Sequence, residues 1–199
     1  MPATLESKAL WAPIRDARAV AKEKDPEGAP SPSVMVAWAV TRAMEKHGTF
    51  RRLGLKDGSI VEVTDFELGI AVALPGDKLA TAVVADANKL SWPDFIREYG
   101  NAVEAARSGK IIEHRAPVVI TSLGNFGVRG GIPIVVPPSV GTLFVGTSFH
   151  EMIRSGNSAK LSEVVTFCLT FDHRIVNGAG GAAFLRDVCR EVEAFKLPE

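Results

Sequence analysis

The chain has 199 residues, of which 46% are hydrophobic and 23% are charged, and this is the composition of an ordinary globular protein. Its 23 Lys and Arg residues equal its 23 Asp and Glu residues, so the net charge of zero gives no reason to expect a nucleic acid or an acidic membrane as a partner. The length favours a single domain, and no apolar stretch is long enough to predict a membrane span.

Residues 1–32 differ from the rest of the chain and are predicted to form a divergent arm without regular structure. Most of this arm is polar and rich in Pro and Ala, and Trp11 and Ile14 are its only bulky anchors. It shows neither the basic segment nor the apolar run of a secretion signal. Cys168 and Cys189 lie in apolar runs and are expected to be buried and reduced, which favours a cytoplasmic protein.

Helices are predicted in three later segments. Ser33 is expected to cap a helix over residues 34–47, where apolar residues recur at helical spacing. Ser91 is expected to open a second helix that stops at Gly109. The last helix is predicted to cover residues 178–195.

Apolar or alternating runs bounded by Gly and Pro predict strands between these helices. The run EVVTFCLTF alternates most strongly, because Val165, Phe167, Leu169 and Phe171 fall on one face. Strands and three helices in one domain predict an α+β fold, with a mixed β-sheet that carries its helices on one face. The other predicted strands are in SIVEV, LGIAVAL, LATAVVAD, APVVITS, IPIVV and GTLFVG.

The segment FDHRIVNGAGG, residues 171–181, joins the last strand to the last helix. Gly178 to Ala183 match G-x-G-x-x-A, the glycine pattern of dinucleotide-binding sites. That pattern also needs a further strand with an acidic residue, and too little chain follows, so the glycines are expected to permit close helix packing. None of the 4 histidines has a second ligand at a metal-site spacing, and no metal is expected.

Spacing alone leaves two interpretations of His173 open. It can be a catalytic base where a buried strand meets a cleft, since the ordinary histidine pKa of about 6.5 suits proton transfer at neutral pH. It can equally be a half-buried histidine without a chemical role, beside a surface ion pair of Asp172 and Arg174. A serine hydrolase is not expected, because the G-x-S-x-G nucleophile elbow is absent from the sequence.

Three segments between Ser33 and the end of the chain resemble one family. LTFDHRIVNGAGGAAFL is similar to the D-H-R-x-x-D-G segment of the dihydrolipoamide acyltransferase catalytic domain, the acyl-transferring core of 2-oxoacid dehydrogenase complexes and a relative of chloramphenicol acetyltransferase. VVITSLGNFGVRGGIPIVVPPSVGTLFVG resembles the S-x-L-G-x-F-G turn and the strands of that family, and LGIAVALPGDKLATAVVADANKLS resembles its I-G-x-A-V segment. The resemblance implies a chloramphenicol-acetyltransferase-like two-layer fold and makes residues 33–199 the acyltransferase catalytic domain.

The resemblance also implies the central roles in catalysis. His173 corresponds to the general base, which takes a proton from the acceptor without a carboxylate partner, its other ring nitrogen being bonded to the backbone. Thr121 corresponds to the hydroxyl that stabilises the tetrahedral oxyanion, where the family usually has serine, and the adjacent Ser122 is the reserve for this role. Either hydroxyl can donate the hydrogen bond that an oxyanion needs.

Four further residues take supporting roles on the same resemblance. Asn177 stands where the family most often has aspartate, and it is included among the catalytic residues. If the role of this position is to orient a neighbour, the amide suffices, whereas activity is expected to be weakened if the role depends on charge. Asp172 and Arg174 are expected to form an ion pair that fixes the histidine loop, and Gly178 is expected to be required for backbone geometry.

The function that the resemblance favours is acyl transfer from acyl-CoA, most simply acetyl-CoA as co-substrate, with no covalently bound cofactor. Because no lipoyl domain is seen before the core, we expect a stand-alone homotrimer that acts on a small-molecule or carrier-bound acceptor, such as the primary alcohol of a tetronate polyketide intermediate. The alternatives are a dihydrolipoamide acyltransferase core of a 2-oxoacid dehydrogenase complex and a catalytically silent trimeric scaffold.

Overall fold

The computed structural model describes residues 1–109 and 114–198 and is built around one seven-stranded mixed sheet. The strands in these residues are β1 (Pro2–Leu10), β2 (Arg52–Gly54), β3 (Ile60–Glu62), β4 (Leu68–Leu74), β5 (Lys78–Val84), β6 (Val118–Ser122), β7 (Gly141–Val145), β8 (Phe149–Ser155) and β9 (Ser158–Asp172). The α-helices are α1 (Ala12–Lys24), α2 (Pro32–Lys46), α3 (Trp92–Arg107) and α4 (Gly178–Glu193).

The strand order of the large sheet is β1-β9-β7-β6-β4-β5, and β8 pairs with the first half of β9. β6 runs parallel to both β4 and β7, whereas the other pairings in this sheet are antiparallel. β2 and β3 form a separate two-stranded sheet. The mixed sheet predicted from the sequence is therefore confirmed.

The helices pack on one face of the sheet. Val165, Phe167, Leu169 and Phe171 of β9 are fully buried and belong to one apolar cluster with residues of all four helices. The opposite face of β9 carries Thr166, Cys168 and Thr170, the face that the alternation assigned to them. The prediction of an α+β fold with helices on one face is confirmed.

The prediction of an irregular arm over residues 1–32 is wrong in its local structure. β1 pairs with β9 at every position from Pro2, opposite Asp172, to Leu10, opposite Val164, and α1 follows it directly. β1 alternates between exposed and half-buried residues, so it lacks the apolar signal of an interior strand. Its partner lies at the other end of the chain, which no local pattern reveals.

The predicted starts of the helices agree with the structure to different degrees. α3 begins after Ser91, whose side chain accepts a hydrogen bond from the backbone N–H of Asp94, as predicted. α2 begins at Pro32 after Ser31, two residues before the predicted cap at Ser33, because proline suits the first position of a helix. α4 ends at Glu193, slightly before the predicted end at residue 195.

The strand predicted at IPIVV is absent from the structure. Residues 132–136 are irregular, and Ile132 and Ile134 are 79% and 77% exposed. Pro133 has no N–H to donate to a ladder, and Pro137 closes the segment in the same way. This leaves large apolar side chains on the surface beside the end of β9.

The glycine run at the start of α4 permits close packing, as predicted. A Cβ on Gly181 would lie 2.6 Å from Cε1 of Phe171, so no larger residue fits between α4 and β9 here.

Cys168 and Cys189 are free and buried, also as predicted. In the described residues, no helix combines the length and apolar character that crossing a membrane requires.

Candidate active site

His173 lies in the turn that leaves the end of β9. Its backbone N–H donates to the carbonyl oxygen of Met1 at 2.8 Å, so the start of β1 holds the turn. The imidazole is exposed, and its centroid is 5.7 Å from that of Phe171. In the residues that the structure describes, neither ring nitrogen of His173 takes part in a hydrogen bond within the chain. The ring is therefore free to meet a ligand or a second chain.

Asp172 and Arg174 form an ion pair on either side of this histidine. Oδ1 of Asp172 accepts hydrogen bonds from the backbone N–H of Arg174 at 3.0 Å and from its Nε at 2.9 Å. These bonds to the Arg174 guanidinium hold the pKa of the Asp172 carboxyl well below its usual range. The carboxylate is thus occupied with its own turn and is not bonded to the imidazole of His173.

Asn177 is the N-cap of α4. Its Oδ1 accepts from the backbone N–H of Gly180 at 2.7 Å, which satisfies one of the free donors of the first helical turn. The amide Nδ2 of Asn177 remains as the group that can donate to a ligand. Sequence reasoning assigned Asn177 to the site but did not recognise it as a cap.

Gly178 does not have the role that was predicted for it. Its φ is not positive, so the backbone here does not require glycine. A Cβ at Gly178 would lie 3.9 Å from Nε2 of His173, which is an ordinary contact. The effect of this glycine is to keep the space beside the imidazole open.

Thr121 and Ser122 lie at the end of β6 on opposite faces of the sheet. Ser122 shares the face of Ile120, is exposed, and accepts a long hydrogen bond of 3.4 Å from the backbone N–H of Gly124. Thr121 is half-buried on the other face, in register with Phe144 of β7. Gly127 then closes the turn with a φ of 73°, a conformation that favours glycine.

The structure does not bring His173 and Thr121 together within one chain. Thr121 pairs with Phe144, which pairs with Cys168 of β9, and His173 lies five positions beyond Cys168. That separation corresponds to about 16 Å along a strand, in addition to two strand spacings of about 4.8 Å each. Within one copy of the chain, these two predicted site residues therefore do not meet.

A groove with a volume of about 860 Å³ opens beside Ser122, between α3, the start of α2 and the sheet. Ile70, Val72 and Ile120 form an apolar floor. Arg18 from α1 and Arg107 from α3 also line it. The sequence analysis did not select either arginine, because helix periodicity does not show which exposed residues of separate helices meet.

Tyr99 lines the same groove from α3. Burial raises the pKa of its phenol to about 12, and the nearby Arg107 acts in the opposite direction. Arg107 is therefore close enough to influence groups inside the groove.

The match to a protein family covers nearly the whole chain. Residues 3–198 match the model of the 2-oxoacid dehydrogenases acyltransferase (catalytic domain). The chain belongs to this family. Because the match begins at residue 3, it includes β1 and α1 as well as the segments that carried the resemblance.

The curated relatives of this family member are longer proteins. It is 32% identical over 154 residues to the dihydrolipoyllysine-residue acetyltransferase component of the acetoin cleaving system of Bacillus subtilis, which covers 76% of this chain and 38% of that protein. It is 28% identical over 131 residues to the dihydrolipoyllysine-residue succinyltransferase component of the 2-oxoglutarate dehydrogenase complex of Rickettsia typhi, covering 64% of this chain and 33% of that protein.

Solved structures agree with the predicted fold. Dihydrolipoamide acetyltransferase of Azotobacter vinelandii matches with a TM-score of 0.89 at 22% identity, over 98% of this chain and 82% of that chain. That structure belongs to crystallographic and enzymatic investigations of the role of a serine, a histidine and an asparagine in its catalytic mechanism. A chloramphenicol acetyltransferase matches with a TM-score of 0.63 at 14% identity, over 96% of this chain and 88% of that chain. The chloramphenicol-acetyltransferase-like fold is confirmed.

Proposed function

We propose that the protein transfers an acyl group, most simply acetyl, between coenzyme A and the thiol of a dihydrolipoyl group. The observation that carries the proposal is His173, an exposed imidazole in the family's D-H-R turn with no carboxylate bonded to it in the described chain. The acyl donor is a thioester and the acceptor is a thiol, and the proposed chemistry needs no cofactor bound covalently to the described residues.

The reaction proceeds by addition and elimination. His173 takes the proton from the acceptor thiol as its sulfur attacks the thioester carbonyl, and the tetrahedral intermediate carries the negative charge on its oxygen. A hydroxyl donates a hydrogen bond to that oxyanion. Collapse breaks the old carbon–sulfur bond, and the protonated imidazole returns its proton to the departing thiolate. The acyl group has then moved without net consumption of water or protons.

Thr121 is the proposed oxyanion donor, with Ser122 as the alternative. In the Azotobacter vinelandii protein the serine precedes the histidine by the same number of residues that separates Thr121 from His173, and the asparagine follows four residues later, as Asn177 does. This agreement in spacing supports Thr121 for the oxyanion. It also supports a role for the Asn177 amide in this reaction, because the Azotobacter vinelandii protein has an asparagine at the matching spacing.

A thiol acceptor suits this base better than an alcohol. The ordinary pKa of a thiol, about 8.5, is close to that of an imidazole, about 6.5, so a proton transfers between them without help from a third group. The alcohol of a tetronate intermediate is far more weakly acidic, and the two curated relatives described above are named for a dihydrolipoyllysine residue. The dihydrolipoyl group therefore replaces the tetronate alcohol as the proposed acceptor.

The complete site is proposed to form between two copies of the chain, His173 of one copy facing Thr121 of the next around a trimer. The separation of these residues within one chain supports this arrangement. So do Ile132 and Ile134, which are largely exposed and line a cavity of about 440 Å³ next to Asp172. Exposed apolar patches of this kind are typical of contact surfaces between chains.

Two measurements test the proposal. Acyl transfer is assayed with acetyl-CoA and dihydrolipoamide, and with a hydroxymethyl tetronate in place of the thiol; efficient acetylation of the alcohol but not of dihydrolipoamide would contradict the proposed acceptor.

The second measurement tests the shared site. His173→Ala is mixed with Thr121→Ala under conditions of subunit exchange. Equal mixing restores about a quarter of the wild-type sites, because each interface needs one intact residue from either side.

The control replaces Thr121→Ala in the mixture by the double variant His173→Ala/Thr121→Ala, which supplies no intact histidine and restores nothing. A mixture of the two single variants that stays inactive, although mass measurement shows mixed oligomers, would exclude a shared site. Mass photometry of the wild-type chain checks the trimer directly.

A further inference from the structure

β2 ends against the turn that carries His173. The backbone N–H of Gly54, the last residue of β2, donates to the carbonyl oxygen of Pro138 at 3.0 Å. A Cβ on Gly54 would lie 3.1 Å from Cδ1 of Ile175, which is closer than the separation of about 3.5–4.0 Å at which two carbon atoms attract best. The φ of Gly54 is not positive, so the glycine is explained by the lack of space and not by the backbone conformation. The missing side chain lets β2 touch the turn.

Backbone hydrogen bonds fix Ile175 within the turn of His173. The carbonyl oxygen of Asp172 accepts from the backbone N–H of Ile175 at 3.0 Å and from that of Val176 at 3.0 Å, which closes the chain tightly around His173. Val176 is fully buried, so the far end of the turn is anchored in the core. A displacement of the Ile175 side chain is therefore transmitted to the backbone of the same turn.

The short segment before β7 holds both β2 and the turn. Its Pro138 carbonyl bonds to Gly54, and its Val140 carbonyl accepts from the backbone N–H of Asp172 at 3.0 Å. β2 and the turn are thus attached to the same piece of chain, and they meet at Ile175. The contact between Gly54 and Ile175 is the point at which a change in one reaches the other.

The hairpin of β2 and β3 is anchored firmly enough to support the turn. An isolated two-stranded hairpin is only marginally stable in water. Here Leu53 is fully buried, and Nε of Arg52 donates to Glu62 across the two strands at 3.1 Å. These contacts, together with the hydrogen bond of Gly54, give β2 a fixed position.

We propose that Gly54 and Ile175 are positioning residues for His173, and that their contact sets where the imidazole lies. No side chain of the described residues bonds to this ring, so the backbone of the turn determines its position. A general base is sensitive to such a change, since a misplacement of about 1 Å at a reacting group costs about 10² in rate. The role of this imidazole in proton transfer rests on the proposed function, whereas the dependence of its position on Gly54 does not.

The test moves one methyl group from one side of the contact to the other. Gly54→Ala adds a carbon to β2, and Ile175→Val removes Cδ1 from the turn. Among the described residues, Cδ1 is the one atom within 4 Å of the added Cβ, apart from Gly54 and its two chain neighbours. Either change alone displaces or loosens the turn, whereas the double variant Gly54→Ala/Ile175→Val restores the contact.

Each single variant is expected to lower kcat by roughly tenfold and to leave KM for acetyl-CoA nearly unchanged. The double variant regains kcat to within about threefold of the wild type, because the two changes compensate each other. Thermal unfolding checks that every variant is folded. The Cε1–H resonance of His173, assigned with His173→Ala, is a second readout that needs no substrate; it shifts in both single variants and returns in the double variant.

Gly58→Asn is the matched control in the tip of the same hairpin. Gly58 has a φ of 85°, which asparagine tolerates, and a Cβ there meets no atom of the described residues within 4 Å. This variant alters the hairpin without touching the turn, so kcat and the His173 resonance are expected to stay as in the wild type.

Three outcomes would overturn the inference. The single variants keep the kcat and the His173 resonance of the wild type; or they lose only thermal stability, while the folded chains turn over at the wild-type rate; or the double variant is no better than the poorer single variant, so that the two residues act separately. If the wild type transfers no acyl group, the proposed function fails and the resonance alone decides this inference. A resonance that moves in the single variants and returns in the double variant then leaves the inference standing, and one that never moves refutes both.

Discussion

Thr121 and Ser122 are neighbours in β6, but Ser122 lines the groove between α3 and the sheet, while Thr121 lies on the other face of the sheet beside Phe144. Side chains of adjacent strand residues point to opposite faces, so the two hydroxyls cannot exchange roles without a change in the strand. Only one of them can donate to the oxyanion, and a pair of substitutions distinguishes them.

Thr121→Ala is expected to lower kcat by roughly 10²–10³, since it removes one oxyanion donor, whereas Ser122→Ala removes no donor from that face. Thr121→Ser keeps the hydroxyl and is the control, with activity close to that of the wild type. The measurement is steady-state acyl transfer at saturating coenzyme A. The reverse pattern, with Ser122→Ala inactive and Thr121→Ala active, would move the oxyanion site to the groove face.

His173→Ala is expected to lose roughly 10²–10⁴ in turnover, which is the usual contribution of a general base. Its stability should change little, because the ring is exposed and its hydrogen bond to Met1 uses the backbone N–H. Thermal unfolding of the variant checks the fold, and the transfer assay checks the rate. Turnover close to that of the wild type would remove His173 from the mechanism.

Asn177→Asp is expected to keep α4 intact, since aspartate is as good an N-cap as asparagine and its carboxylate can accept from Gly180. If the amide only orients its neighbours, turnover changes by less than about tenfold, or about 1.4 kcal/mol in the barrier. Asn177→Ala loses the cap and about 1 kcal/mol of stability. A folded Asn177→Asp variant without activity would show that the Nδ2 donor is required.

The ionisation of Tyr99 reports the groove directly, because it is the 1 tyrosine of the chain. Its near-ultraviolet phenolate absorbance is expected to titrate at about 12 in the folded protein, where burial raises the pKa, and at about 10 after unfolding. The folded state thus disfavours the phenolate, and the stability that this buried phenol contributes declines as the pH rises above about 10.

Arg107→Ala should raise the pKa of Tyr99 further, because Arg107 lowers it in the wild type. Arg97→Ala is the control on the same helix and should leave the titration where it is. A Tyr99 that titrates near its ordinary value in the folded protein would show that the groove wall is open to water at this point.

Gly181→Ala is expected to destabilise the protein by about 1–3 kcal/mol, because its Cβ would lie 2.6 Å from Cε1 of Phe171. Gly100→Ala in α3 is the matched control, since a Cβ there meets no atom within 4 Å. It should stabilise the helix by about 0.5–1 kcal/mol. Chemical denaturation of the two variants gives the comparison, and equal stabilities would contradict the close packing of α4 on β9.

Local patterns predicted those parts of the fold whose signal lies within the element itself. The alternation of Phe167, Leu169 and Phe171 is visible in β9 alone, and the cap at Ser91 depends on residues close by in the sequence. β1 was not predicted, because its alternation of exposed and half-buried residues is typical of an edge strand and carries little apolar signal. Such a strand can be assigned only when the strand with which it pairs is known.

In the candidate site too, some residues were found from local motifs, whereas others become visible only in the folded structure. The resemblance of short motifs selected His173, Thr121 and Asn177, since each belongs to a contiguous segment. Arg18 and Arg107 line one groove only because of how the chain folds, and neither belongs to a motif. The distance between His173 and Thr121 depends on strand order, which spacing along the chain does not encode.

The pairing of β1 with β9 joins two segments that are made at widely separated times. Leu10 of β1 lies opposite Val164 of β9, and the roughly 150 residues between them take about 8–30 s to emerge from a ribosome at 5–20 residues per second. Through that interval β1 exposes unpaired backbone groups. The turn of His173 is held by the carbonyl of Met1 only once β9 has been made and has paired with β1, so the position of this imidazole depends on a strand that is made long before it.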